Sequence, residues 1–234
     1  MKTIFLFPIL LLSLVSTSCW SADLQKGLDA ANNGDFETAL REWIPLAEQG
    51  DVKAQFNVGL MYESGQGVPQ DYKTGLKWWR LAAEQGSADA QFSLGLAYDI
   101  GEGVPQDYKI AVKWYKIAAE QGSAIAQRNL GVKYNRGEGV PRDYSTGAMW
   151  WRLAAEQGDA NAQISLAGMY LLGSGLVQSN IHALMWWNIA VKSGAKGSLV
   201  GRMRYQLSKQ MTPDQVVDAQ KLFRECIRKK YKGC

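Results

Sequence analysis

The chain has 234 residues, of which 47% are hydrophobic and 21% charged, and its formal net charge is +4 at pH 7. So small an excess of Lys and Arg, interspersed with acidic residues, argues against nucleic acid as a partner. One histidine and three cysteines leave no ligand set for a structural metal site, so we expect neither a metal nor another cofactor.

The first 21 residues predict a secretory signal peptide. Lys2 supplies a positive start, and an apolar run over residues 4–15 is followed by small residues. This run is too short to span a bilayer, and no other long apolar run follows, so we expect no transmembrane segment. Cleavage would leave a soluble chain, and the alternative is a lipid anchor on Cys19. We therefore expect a periplasmic or secreted protein of the bacterial envelope.

Residues 22–50 are expected to form a degenerate N-terminal repeat. Asp35 and Trp43 lie 36 residues before Asp71 and Trp79, which belong to the regular array that follows. A terminal repeat is expected to be atypical, because one of its sides faces water.

Four copies of a 36-residue unit occupy residues 51–194. The recurring alanines and tryptophans are Ala54, Ala90, Ala126 and Ala162, and Trp78, Trp114, Trp150 and Trp186. A fixed period of this length indicates a repeat architecture. The tryptophans recur beside Ala and Leu, which favours packing in the core over stacking against a carbohydrate ligand.

Each copy predicts two antiparallel helices joined by a short Gly-x-Gly loop. In the first copy the helices are expected over 52–64 and 72–84, with Asp51 and Asp71 as N-cap residues. One such hairpin cannot bury its own apolar face, but stacked hairpins bury each other's faces. The sequence therefore predicts an all-α solenoid of about a dozen helices.

Residues 195–234 break the period and are expected to form a C-terminal helical cap. Thr212 and Pro213 predict the start of a last helix, because the first is an N-cap residue and proline suits the first turn. The basic residues after Cys226 are favourable at a helix C-terminus.

The repeat unit A-x-x-x-L-G-x-x-Y-x-x-G-x-G-V-x-x-D-Y, followed by W-W/Y and A-A-E-Q-G, resembles the Sel-one-like repeat family, which is related to the tetratricopeptide repeats. The resemblance covers residues 54–194. The fourth copy departs from it, with Ala167 in place of glycine and Ser179 in place of the capping aspartate. The resemblance implies a right-handed α/α superhelical solenoid whose first helices line a concave, peptide-binding surface.

The candidate contacts on that concave surface are the positions of the first helices that face away from the packed stripe. They vary between copies, whereas the packed positions do not. These candidate partner-binding residues are Phe56, Leu60, Glu63, Phe92, Leu96, Asp99, Arg128, Val132, Asn135 and Ile164. Arg128 stands where two copies carry phenylalanine, and we expect it either to be solvent-exposed or to meet a carboxylate of a bound partner.

Cys226 and Cys234 are the only cysteines outside the leader. A continuous helix would hold them about 12 Å apart, too far for a disulfide, so the chain must turn between them if they pair. Cysteine-rich members of the family use pairs at this spacing, which implies a disulfide. The alternative is a buried Cys226 and a free Cys234.

No catalytic constellation is visible. His182 occupies the column of Thr74, Ile110 and Thr146, which predicts a position on the surface of a helix. We therefore expect a non-enzymatic scaffold that binds an unidentified protein or peptide. Two alternatives stay open: a β-lactam-binding or β-lactam-hydrolysing enzyme, as implied by cysteine-rich relatives, and a structural protein of the cell envelope associated with peptidoglycan.

Overall fold

The computed structural model describes residues 22–195 and 198–234, so the predicted leader and Cys19 lie outside the described residues. This part of the chain contains twelve helices and no strand, which confirms the all-α repeat fold. The helices are α1 (Leu24–Asn32), α2 (Phe36–Glu48), α3 (Val52–Ser64), α4 (Tyr72–Glu84), α5 (Ala88–Ile100), α6 (Tyr108–Glu120), α7 (Ala124–Arg136), α8 (Tyr144–Ala155), α9 (Ala160–Leu172), α10 (Asn180–Lys192), α11 (Ser198–Gln210) and α12 (Pro213–Arg228).

The ends of the helices follow from local side-chain chemistry. The Asp51 carboxylate accepts a hydrogen bond from the Ala54 backbone N–H at 2.8 Å, and Asp71 accepts from Lys73 N–H at 3.0 Å. These bonds satisfy backbone donors that have no partner within the helix. At the other end α5 stops at Gly101, whose φ of 81° is readily adopted by glycine.

The core runs between successive hairpins. Two sets of equivalent residues on the first helices are fully buried in all four copies, at 0% exposure. They are Ala54, Ala90, Ala126 and Ala162, and Val58, Leu94, Leu130 and Leu166. The tryptophans pack against these columns. Of the predicted tryptophan column, Trp150 and Trp186 are buried, and Trp78 and Trp114 are half-buried. The tryptophans of the adjacent column, Trp43, Trp79 and Trp151, are buried core residues.

A ladder of glutamines also crosses the core, and sequence analysis did not foresee it. Gln55 is 4% exposed, and its Nε2 donates to the Ala47 carbonyl oxygen at 3.0 Å. Its Oε1 accepts from Nε2 of Gln85, 30 residues further on, at 2.8 Å. The same arrangement recurs at Gln91 with Gln121 and at Gln127 with Gln157. The ladder satisfies the buried amide in these three copies and ties consecutive hairpins together. In the fourth copy Gln163 Nε2 donates to the Ala155 carbonyl oxygen at 3.0 Å, but its Oε1 has no hydrogen-bond partner within the described residues.

The C-terminal helices pack on the last hairpin. Helix α12 begins with a capping box, in which Thr212 and Gln215 each bond the other's backbone N–H. Beyond α12 the chain turns back through Lys230 and Tyr231, which have positive φ, and Cys226 and Cys234 form a disulfide with their Cα atoms 5.5 Å apart. Within the described residues, no helix is both long enough and apolar enough to cross a membrane.

Candidate protein-binding surface

The ten predicted partner-binding residues lie on α3, α5, α7 and α9, and we call them the first-helix surface. Nine of them are half-buried, and Leu96 is exposed, at 37%. Leu60, Val132 and Ile164 each pack partly against a core cluster and partly face outward. The surface is therefore a row of partly accessible side chains.

The two phenylalanines contribute to packing between helices, contrary to their expected orientation away from the packed stripe. Phe92 stacks on Tyr115 of α6, in the same hairpin, with ring centroids 5.7 Å apart. Phe56 packs against the buried cluster that contains Trp79 and Leu94, which lie on its own hairpin and on the next. A phenylalanine side chain is long enough to cover part of the interface between helices.

Arg128 forms an ion pair within the chain. Its Nε donates to Oδ2 of Asp159 at 3.1 Å, and the Arg128 side chain is 27% exposed. Asp159 is also the N-cap residue of α9, where Oδ1 accepts from the Ala162 N–H at 2.7 Å. The next hairpin therefore supplies a carboxylate to Arg128, and contact of Arg128 with a bound partner stays a prediction.

Asp99 belongs to a polar network that is specific to the middle of the array. Its carboxylate pairs with Nζ of Lys133, which is 5% exposed, and accepts a hydrogen bond from the Tyr115 hydroxyl at 3.1 Å. Glu138 also pairs with Lys133 at 2.6 Å, and this hydrogen bond lowers the pKa of Glu138. Burial, reinforced by Asp99, raises the pKa of Tyr115, so its hydroxyl stays protonated and donates. A cation–π contact completes the network, since Nζ of Lys133 lies 4.5 Å from the ring centroid of Tyr108.

Glu63 and Asn135 occupy the same column as Asp99 but make different contacts. Burial, together with the charge of Glu102, raises the pKa of the Glu63 carboxyl above its ordinary value. Asn135 Nδ2 lies 3.5 Å from the Met169 sulfur. One column therefore presents three different polar groups along the first-helix surface.

His182 is half-buried rather than simply displayed on a helix surface. Its Nδ1 lies 2.8 Å from the Ser179 hydroxyl, and its ring stacks on Tyr170 at 4.9 Å between centroids. Burial, together with the charge of Arg152, lowers its pKa. Across the described part of the chain, no group of three His, Cys, Asp or Glu residues is placed to hold a metal ion.

Comparison with known proteins assigns the repeats. Residues 52–87, 88–123, 124–159 and 160–194 each match the Sel1 repeat. The chain belongs to the Sel1 repeat family. The match confirms the resemblance that the repeat unit carries.

Two solved structures of this family are similar to the chain. The protein c5321, a protective antigen of uropathogenic Escherichia coli with an SLR fold, is 33% identical, with a TM-score of 0.76, and the match covers 88% of this chain and 45% of that one. A Sel1 repeat protein from Oxalobacter formigenes is 28% identical, with a TM-score of 0.71 and coverage of 87% and 75%. The chain thus spans less than half of the E. coli protein. No curated protein matches it.

Membership of the family indicates the kind of role that its members usually have. Sel1 repeat proteins are typically scaffolds for protein–protein interaction, and the fold is generally non-catalytic. The half-exposed first-helix surface is compatible with that role, because it offers apolar and polar side chains on rigid helices.

Proposed function

We propose that this Sel1 repeat protein is a periplasmic or secreted, non-enzymatic scaffold that binds a segment of another protein along the first-helix surface. One observation carries the proposal: on α3, α5, α7 and α9 the packed columns repeat while the outward columns change. Ala54 and its three equivalents are identical and fully buried, whereas a half-buried column of the same helices reads Glu63, Asp99 and Asn135 in the first three copies. A common framework with different outward side chains suits recognition of one extended, non-repetitive partner.

The partly accessible aliphatic side chains would supply the main contacts. Leu60, Leu96 and Val132 occupy one column, one period apart, so an extended segment that follows the array meets them in succession. Glu63 lies beside them and offers a carboxyl group to a donor of the partner. Apolar anchors flanked by polar groups are the usual composition of a protein interface.

The extracytoplasmic location rests on residues 1–21, whose basic start, apolar run and small residues are typical of a secretory signal. The E. coli relative is a protective antigen, which agrees with exposure outside the cytoplasm. Fractionation of producing cells, with mass determination of the mature N-terminus, tests this part. A chain that retains Met1 and fractionates with the cytoplasm would contradict it.

Site-specific photo-crosslinking tests the binding surface. A photoreactive amino acid at Leu96 should give an adduct with another protein in producing cells, and the same amino acid at Lys113, an exposed position on α6, should not. Leu60→Lys in the chain that carries the Leu96 probe should abolish the adduct without changing the melting temperature by more than a few degrees. Equal adducts from both probe positions would place the binding site elsewhere.

A further inference from the structure

A groove of about 490 Å³ lies outside the first-helix surface, between α4 and the loop that joins α5 to α6. Three aliphatic side chains, Leu76, Leu81 and Val104, form its apolar part. The cations that line it are Lys73, Lys77 and Arg80, and Glu84 lines it at the end of α4. We call this the α4 groove.

The shape of the α4 groove is fixed by a backbone contact. Gly103 has a φ of 70°, and a Cβ there would lie 2.6 Å from Cβ of Tyr72 and 3.0 Å from Cδ1 of Leu76. The absence of a side chain lets the loop lie directly on the first turns of α4. The loop therefore forms one wall of the groove by packing closely against Tyr72 and Leu76.

The three cations form no salt bridge within the described part of the chain. No carboxylate lies within ion-pairing distance of Lys73, Lys77 or Arg80, whereas Lys116 in the next repeat pairs with Glu120 at 3.8 Å. Arg80 Nη2 donates a hydrogen bond to the Tyr98 hydroxyl at 3.1 Å. Residues four and seven apart share one helix face, so these like charges repel each other until an anion neutralises them.

The apolar part of the groove is accessible in the free protein. Leu81 is 44% exposed, although it lies among charged residues. Leu76, at 6% exposure, forms the recessed floor beneath the cations. A ligand that covers this surface must carry an apolar group that enters the recess and anionic groups that remain at the rim.

We propose that the α4 groove binds an acidic peptide segment in which one aliphatic side chain is flanked by carboxylates. The aliphatic side chain lies against Leu76, Leu81 and Val104, and the carboxylates pair with Lys73, Lys77 and Arg80. A bilayer is a poorer occupant, because a flat surface cannot reach the recessed Leu76 and Glu84 would face the anionic lipid headgroups. The Sel1 repeat protein would then hold two partners, one on the first-helix surface and one in the α4 groove.

Selection from a random peptide library displayed on phage tests this site with the full chain as bait. Enriched peptides should share an aliphatic residue between acidic residues, and a synthetic, fluorescein-labelled copy should bind in anisotropy titrations. Lys73→Glu/Lys77→Glu/Arg80→Glu should weaken that binding at least tenfold. Leu81→Ser, which removes apolar surface without touching a charge, should weaken it severalfold. Raising the salt concentration should also weaken it, as charge pairing requires.

The matched control carries the same change of charge one repeat further on. Lys109→Glu/Lys113→Glu/Lys116→Glu should leave the affinity within about twofold of the parent. Equal losses in the two triple variants would show unspecific attraction and overturn the proposal. Enrichment of peptides without acidic residues would also overturn it, as would binding to phosphatidylglycerol vesicles with no peptide selected. A peptide that binds the first-helix surface should bind the parent and both triple variants equally, so only peptides weakened by Lys73→Glu/Lys77→Glu/Arg80→Glu report on the α4 groove, and the two proposals can be tested separately.

Discussion

A Cβ atom on Gly131 would lie 2.5 Å from Cδ1 of Trp151, the indole ring that packs against this face of α7. The missing side chain lets the ring settle on the helix backbone, where Trp151 Nε1 donates to the Arg128 carbonyl oxygen at 3.0 Å. Gly59 and Trp79 repeat this arrangement, with a distance of 2.4 Å for the corresponding Cβ. In both copies the glycine serves the close approach of two helices and not a special φ.

We expect Gly131→Ala to lower the free energy of unfolding by about 1–3 kcal/mol, because the added methyl group overpacks the ring and displaces Trp151 from its acceptor. Urea denaturation of the two proteins measures this change. Gly168→Ala is the control, since a Cβ on this α9 glycine meets nothing within 4 Å. There the better helix propensity of alanine should raise stability by about 0.5–1 kcal/mol. Equal effects at the two positions would contradict the packing argument.

In the fourth copy, one substitution in the repeat changes how a tryptophan packs against the first helix. Ala167 stands where the earlier copies have this glycine. Trp187, the equivalent of Trp151 in this copy, is 1% exposed, and the Nε1 of Trp187 has no hydrogen-bond acceptor within the described residues. The Cβ of Ala167 prevents the Trp187 ring from lying as close to the helix backbone as the Trp151 ring does. The substitution was evident in the sequence, but its consequence for the indole N–H required the positions of both helices.

The repeat fold could be predicted because each copy carries the same signals for where its helices begin, end and pack. Asp51 caps a helix, a Gly-x-Gly loop ends it, and Ala54 marks its packed face, so the hairpin and its stacking followed from one period of sequence. The contacts of Arg128 could not be predicted in this way. Its partner Asp159 lies 31 residues away on the next hairpin, and a column comparison does not show which neighbours two stacked hairpins bring together.

Other contacts of the first-helix surface could not be predicted either, because they join residues of different hairpins. Lys133 replaces apolar residues of its column, and only the stacked structure places it against Asp99, 34 residues earlier. The disulfide between Cys226 and Cys234 depended on where α12 ends, which the sequence left open between two outcomes. The α4 groove could not be predicted, because Gly103 and Val104 in its lining come from a loop of the next hairpin.

We expect Lys133→Met to lower the free energy of unfolding by about 3 kcal/mol, because it leaves the carboxylate of Asp99 without its buried partner. Methionine fits the site sterically, since Met61 and Met169 occupy the same column. Combining it with Asp99→Asn should cost at least about 1 kcal/mol less than the sum of the two single changes, as expected for residues in contact.

Urea denaturation of the four proteins in this double-mutant cycle gives the coupling energy. The control is Lys113→Met, which alters an exposed lysine without an ion pair in the described structure and should change stability by less than about 0.5 kcal/mol. Strict additivity of Lys133→Met and Asp99→Asn would show that the buried pair is not energetically coupled.

The disulfide should stabilise the C-terminal tail. Cys226 and Cys234 are separated by 8 residues, and closing so short a loop is worth about 2 kcal/mol by the chain-entropy argument. Cys226→Ser/Cys234→Ser should lose about this much, and amide exchange should accelerate at Gly233, whose N–H donates to Glu156 at 3.1 Å. Dithiothreitol should destabilise the parent protein and leave the double variant unchanged. A parent protein that is insensitive to reductant would refute the prediction.

Glu63 gives a pH dependence of the opposite sign to that of a paired carboxylate. Burial and the charge of Glu102 raise its pKa in the folded protein above the ordinary value of 4.5. The folded state therefore holds this proton more tightly than the unfolded state does, and the charged form costs stability. This cost is absent below pH 4.5, appears as the pH rises through the folded pKa, and is complete above it.

Glu63→Gln removes the ionisable group and should therefore make the protein more stable than the parent at pH 7. The difference in melting temperature should shrink as the pH is lowered and disappear below about pH 4, where the parent carboxyl is protonated in both states. Melting curves between about pH 3.5 and pH 7.5 measure it. Glu48→Gln, at an exposed position on α2, is the matched control and should follow the parent throughout. An advantage of Glu63→Gln that persists unchanged at low pH would mean that the amide stabilises the fold for a reason other than the charge of Glu63.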